Sequence, residues 1–318
     1  MHLLTQIRRK FITSFPVKFV IRKSKKIIPP GFSGIPLFDV VRFFFIQIQK
    51  SSLNERAASI AFNLLVAIPP ALIFLFTLIP YLPIKEFMPQ LYGLIRDLIP
   101  GKQNYQPIID FLEDFISNER GGLLSFGFLL ALYFSSNAMI GIMRSFNKMN
   151  YIGFSQRHAV HDRWVAIKLT LIFFLIILVS IVALVSRESV LTWLGIEDPT
   201  IRAIILNVRW LVIILLFFLT ISFIYRYAPA VHKKWKLINP GSILATFMMI
   251  VYTMGFSYYV ANFGNYNQLY GSIATIFILM LLIFFNSLVL LIGFELNVSI
   301  SSLKKMADQR KNSVSDGQ

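Results

Sequence analysis

The sequence predicts an all-α, polytopic membrane protein: a bundle of six transmembrane helices with an N-terminal interfacial helix and an amphipathic helical outer loop. Three observations predict it. From Leu237 to Phe294 there is no Asp, Glu, Lys, Arg or His. Apolar residues make up 56% of the 318 positions and charged residues only 14%, which is the balance of a chain solvated by lipid rather than water. Lys and Arg, finally, concentrate in alternate segments between the apolar runs, as the positive-inside bias requires.

The uncharged run holds two spans. A polar stretch, Asn262 to Gly271, splits it into 241–261 and 272–294, each long enough to cross a hydrocarbon core of about 30 Å at a rise of about 1.5 Å per residue. Four spans precede it, at 57–79, 121–143, 169–186 and 203–225, each bounded by charge. The fourth requires Arg209 to snorkel. Periodicity does not find such helices, because a lipid-facing helix is apolar all round; length and charged flanks do.

The N-terminal region to Arg56, the loops 144–168 and 226–240 and the tail from Glu295 together hold 24 of the 31 Lys/Arg and 6 of the 15 acids. The alternate loops hold the other 7 bases and 9 acids. This places both termini in the cytoplasm and makes the protein a multi-pass component of the cell inner (plasma) membrane. The net charge of +16 is then a topology signal, so membrane lipids are expected as partners and nucleic acid is not. With no early apolar run, a cleaved signal peptide is not expected. The absence of Cys excludes disulfides and thiolate metal sites.

The chain is thus read as a basic cytoplasmic region 1–50, a membrane domain 51–302 and a tail 303–318. Within the first, Leu37, Val40, Val41, Phe44, Phe45 and Ile48 form a helical stripe with Arg42 and Lys50 off it, an interfacial helix over 37–49. The outer loop 85–120 carries two such stripes: Leu91, Leu94, Ile95, Leu98, and Ile108, Phe111, Leu112, Phe115, Ile116. These lie on the outer leaflet, re-enter it or cap a cavity. Pro69-Pro70 inside the first span predicts a kink or an unwound turn.

Chemistry-bearing residues are few. His158, His161 and Asp162 share a helical face but lack a further ligand nearby, and a solvated face fits better than a metal site. No cofactor or metal is expected. The amides are more telling: Asn63, Asn137 and Asn286 all fall within the cytoplasmic half of their spans, with Ser136 and Thr220. They are either glue between helices or the lining of a hydrated, cytoplasm-facing cavity. Glu295, at the inner end of the last span, faces loops that carry Arg144 and Arg226, as a helix-end ion pair or as a gating carboxylate.

These residues resemble a known family. ERAASIAFNLLVAIPPALIFLFTLIP at the first span, GGLLSFGFLLALYFSSNAMIGIMRSFNKMN at the second, YRYAP from Tyr225 to Pro229, NPGSILAT and the closing hairpin are similar to the YihY / virulence factor BrkB family, once misassigned as ribonuclease BN. The likeness covers Ser51 to Ser302, with Tyr259, Phe263, Tyr266, Tyr270, Gly271, Gly293 and Glu295 in family places. Phe62 departs from it, since many members carry Tyr there. The resemblance implies a six-helix bacterial inner-membrane protein. Ribonuclease chemistry would need clustered acids, histidines or metal ligands, and an enzyme is therefore not expected. The favoured reading is a transporter-like protein that handles a lipid or small amphiphile. The alternatives are an envelope-assembly scaffold acting through a protein partner or as a homo-oligomer, and an ion/proton exchanger.

Overall fold

The computed structural model describes residues 22–78, 92, 106, 109–110, 113, 121–147, 157–185, 198–231, 234–263 and 272–315. Seven helices organise them: α1 (Leu37–Lys50), α2 (Leu53–Leu78), α3 (Gly121–Asn147), α4 (Ala159–Val185), α5 (Pro199–Tyr227), α6 (Pro240–Phe263) and α7 (Ser272–Ser315). No strand occurs among the described residues. Five helices contain windows long and apolar enough to cross a hydrocarbon core: Leu53–Leu75, Leu124–Asn147, Ala159–Ser180, Pro240–Val260 and Ile276–Arg310. In α5 the described apolar part, Ile214–Tyr227, is shorter. The protein is a polytopic all-α membrane protein.

The helices outrun the expected spans. α4 starts ten residues early and takes in His161, Asp162, Arg163 and Lys168; α7 continues about twenty residues past Phe294. Charge marks where hydrocarbon ends, but Lys, Arg and Glu are good helix formers and do not end a helix. Pro199 and Pro240 open α5 and α6, where the missing N–H is no loss. Pro69-Pro70 lie inside α2, which is assigned as helix without interruption; the expected unwound turn is not there.

The chain divides into two compact units. The first comprises residues up to Ala58, Ser145–Gln156 and everything from Pro229. Here α1 lies against α7: Val40 is fully buried with Phe32 and Ile300, and Ile35, Leu37, Leu296 and Leu303 pack around them. The interfacial stripe is therefore split. Part of it binds α7, while Val41 and Phe45 stay exposed, as does Ile46 off the stripe. α6 buries Ala245, Thr246 and Met249, and exposes Ile243, Phe247, Val251, Met254 and Tyr258. Those steps of three and four residues make an apolar outer stripe, which a lipid-solvated helix needs and a water-solvated one avoids.

The second unit comprises Ser59–Arg144 and Arg157–Ala228. Phe74 of α2 meets Phe128 at 5.2 Å and Phe174 at 5.6 Å, and α3 passes the Phe74 backbone at Gly127, where a Cβ would sit in ordinary contact. In the outer loop, Gln106 Nε2 donates to Asp110 Oδ1 at 2.8 Å, a helical i,i+4 pair. Ile109, which the expected stripe left off, is buried. Both of the loop's expected stripes lie outside the described residues.

Candidate functional site

In the first unit, the start of α2 brings Arg56 against α7. Arg56 Nη1 meets Glu295 Oε1 at 2.6 Å. The Arg56 Nε donates to the Ser145 carbonyl at the end of α3, at 2.8 Å. Both charged side chains are buried, at 1% and 0% exposure, so Glu295 sits inside the protein and not at an open edge. Beside the pair, Phe146 stacks on Phe294 with centroids 4.0 Å apart and planes within 2°. Trp235 tilts onto Phe294 and donates through Nε1 to Ser301 Oγ at 2.9 Å. One guanidinium therefore ties three helices at one level. Sequence reasoning used Arg56 only as the flank of the first span. The missed signal was an arginine that begins one apolar run and a glutamate that ends another.

The entry to α6 is held by a second network. Asn239 caps the helix: its Oδ1 accepts from the Ser242 N–H at 2.8 Å and from Asn297 Nδ2 at 2.6 Å. Asn297 Oδ1 in turn accepts from the Gly241 N–H at 2.9 Å. A side chain of α7 thus satisfies a first-turn donor of α6 that the helix itself leaves open. A Cβ at Gly241 would run into the Gly293 carbonyl and the Asn297 amide. This assigns Gly293 and Gly241 to a close helix crossing. Of the other family positions, Tyr259 is exposed, while Tyr266, Tyr270 and Gly271 lie outside the described residues.

The amide candidates fall in both units. In the second, Asn63 donates through Nδ2 to the Ser59 carbonyl at 2.7 Å and rests against Gly141 of α3. Gly141 therefore makes its close approach to α2. Four residues before Gly141 on the same helix, Asn137 Oδ1 accepts from Arg163 Nη1 at 2.5 Å. Arg163, from α4, also lies over the Tyr133 ring at 4.9 Å. Ser136 and Thr220 are buried and bond back to the carbonyls of Tyr133 and Leu216. Asn286 belongs to the first unit, where its amide reaches Leu282 O at 2.9 Å and Thr253 Oγ1 at 3.5 Å. Sequence reasoning found the amides but not Arg163, because a charge outside the expected span was read as a loop residue.

The remaining basic candidates also lie in the second unit. Arg144 is exposed, and the Arg226 guanidinium is 5.7 Å from the Tyr227 ring. Arg157 Nη1 donates to the carbonyls of Tyr227 and Ala228, a cation at the negative end of α5. Burial lowers the Arg157 pKa, and Asp162 at 4.0 Å opposes the shift. His158 and His161 are exposed. No group of three or more His, Cys, Asp or Glu able to hold a metal occurs among the described residues.

Comparison with known proteins now adds the lineage. The profile of the virulence factor BrkB family matches residues 44–317. The chain belongs to that family. It is 30% identical over 260 residues to the putative ribonuclease-like protein YfkH of Bacillus subtilis (strain 168), covering 80% of this chain and 93% of that one. It is 25% identical over 274 residues to the UPF0761 membrane protein RSc1559 of Ralstonia nicotianae, covering 85% of this chain and 60% of that one. No solved structure matches. The family match takes in the α1 residues from Phe44 onward and all of α7, beyond the Ser51–Ser302 that the motifs carried.

Proposed function

We propose that this BrkB-family protein is transporter-like and handles a lipid or small amphiphile through a cavity open to the cytoplasmic half of the membrane. The observation that carries the reading is the Arg163–Asn137 contact with Tyr133 beneath the guanidinium. Asn137 stands seven residues inside Arg144, the charge that closes its span, about 10 Å along the helix. A charge brought to that depth is costly, and such charges face bundle interiors or hydrated paths. Arginine offers five donors in a planar fork; one is directed at Asn137, and the others suit the phosphate or carboxylate of an amphiphile. Asn63, which reaches from α2 to Gly141 one turn along α3, adds a second amide beside the same helix. Apolar tails would find the lipid-facing stripes of the helices.

The test uses the full chain in proteoliposomes, with fluorescent phospholipids and dithionite quenching as the readout of transbilayer movement. Wild type should accelerate loss of inner-leaflet protection. Asn137→Leu and Arg163→Gln should abolish the acceleration while the melting temperature in detergent stays within a few degrees, since membrane hydrogen bonds contribute only about 0.6–2 kcal/mol. Activity that falls strictly in step with stability would assign the amides to structure alone.

A further inference from the structure

A cavity of about 610 Å³ opens at the junction of α1 and α2, within the usual range of about 300–1,000 Å³ for small-molecule sites. One wall is apolar, made by Leu53, Leu288 and Ile292. The other is polar, made by Ser52, Asn54 and Glu55, all exposed. We propose that this notch binds a phospholipid of the cytoplasmic leaflet whose headgroup carries an amine.

Position argues for a lipid. α1 presents Val41, Phe45 and Ile46 outward up to its end at Lys50, and the apolar window of α2 begins at Leu53. The notch therefore lies where the headgroup layer gives way to hydrocarbon. Leu288 and Ile292 fall inside the apolar window of α7, so the apolar wall continues toward the acyl chains. A water-soluble ligand would leave that wall unmatched, whereas a lipid covers both walls at once.

Charge argues for the amine. The segments assigned to the cytoplasm carry 24 Lys/Arg, yet the charged residue of this cavity is an acid, Glu55. A carboxylate at the mouth attracts a primary ammonium and repels a lipid whose headgroup is only anionic. Ser52 and Asn54 supply a hydroxyl and an amide for the phosphodiester. The cavity belongs wholly to the first unit and is formed by none of the amide-layer residues, so it stands or falls independently of the transport reading.

The experiment is native mass spectrometry of the full chain released from nanodiscs containing equal phosphatidylethanolamine, phosphatidylglycerol and phosphatidylcholine. Wild type should retain phosphatidylethanolamine in preference to both others. Glu55→Gln should reduce that preference about two- to fivefold, the scale of a solvent-exposed ion pair. Leu288→Trp should fill the notch and lower total lipid retained. Asn137→Leu should leave the preference intact. Equal retention of the three lipids by wild type, or an unchanged preference in Glu55→Gln, overturns the proposal. So does loss of the preference in Asn137→Leu, which would put the lipid in the amide layer. A change from dimer to monomer in Leu288→Trp with lipid retention unaltered would show that a second copy of the chain fills the notch.

Discussion

Arg56 and Glu295 meet at 2.6 Å across 239 positions of sequence, both buried, one at the start of the first long helix and one in the middle of the last. Desolvating two charges is expensive, and their attraction offsets that cost only while both are present. Removing one partner should therefore harm the protein more than removing both. We expect Arg56→Met or Glu295→Leu alone to cost about 3–5 kcal/mol, read as a large fall in melting temperature in detergent or as loss of folded protein. The double variant should recover much of the loss. Single and double variants of equal stability would show that the pair is not a unit.

The Gly241 crossing makes a sharper steric prediction. Gly241→Ala places a methyl against the Gly293 carbonyl and Asn297, backbone and capping groups that have little room to move. We expect severe destabilisation. Gly255→Ala, on the same helix with nothing within 4 Å of the new methyl, should be neutral or stabilising by up to about 1 kcal/mol from helix propensity. Thermal melts of the two variants side by side decide it, and equal behaviour would refute the close crossing.

For α1, the two sides of the helix should respond differently. Val40 is enclosed by Phe32 and Ile300, whereas Phe45 is 58% exposed. Nitroxides at Val41 and Phe45 should report shallow immersion in lipid, and one at Arg42 should remain accessible to a water-soluble relaxant. Val40→Asp should detach α1 from α7, and Phe45→Asp should weaken only membrane contact. Deep immersion at Arg42 would rule out an interfacial helix.

Topology is open to direct measurement. Reporters fused after Lys50, Lys148, Lys236 and Lys304 should read as cytoplasmic, and those at Gln103, Glu197 and Asn265 as external. A cytoplasmic signal at Gln103 would require the outer-loop helices to cross as a pair.

The fold class was legible because hydrocarbon imposes a length and a charge rule that act locally: the run from Leu237 to Phe294 announces α6 and α7 without any partner. Helix ends were less so, as Arg163 and Lys168 show, because the boundary of the membrane and the boundary of a helix answer to different physics. Asn63 and Asn137 could be singled out, since an amide in an apolar run is locally conspicuous. Their neighbours could not. Nothing near Asn137 in sequence points to Arg163, nothing near Gly241 points to Asn297, and Arg56 looked like an ordinary flank until α7 was brought beside it.

The ion pair also imposes an order on biogenesis. Arg56 leaves the ribosome while Glu295 is still 239 residues away, about 12–48 s later at ordinary elongation rates. Through that interval the first helix holds a guanidinium with no carboxylate to meet it, so it must wait at the membrane surface or under the care of the insertion machinery. Completion of α7 then supplies the partner: a chain truncated before Glu295 keeps an unmatched charge, and a finished chain closes it by its own last span.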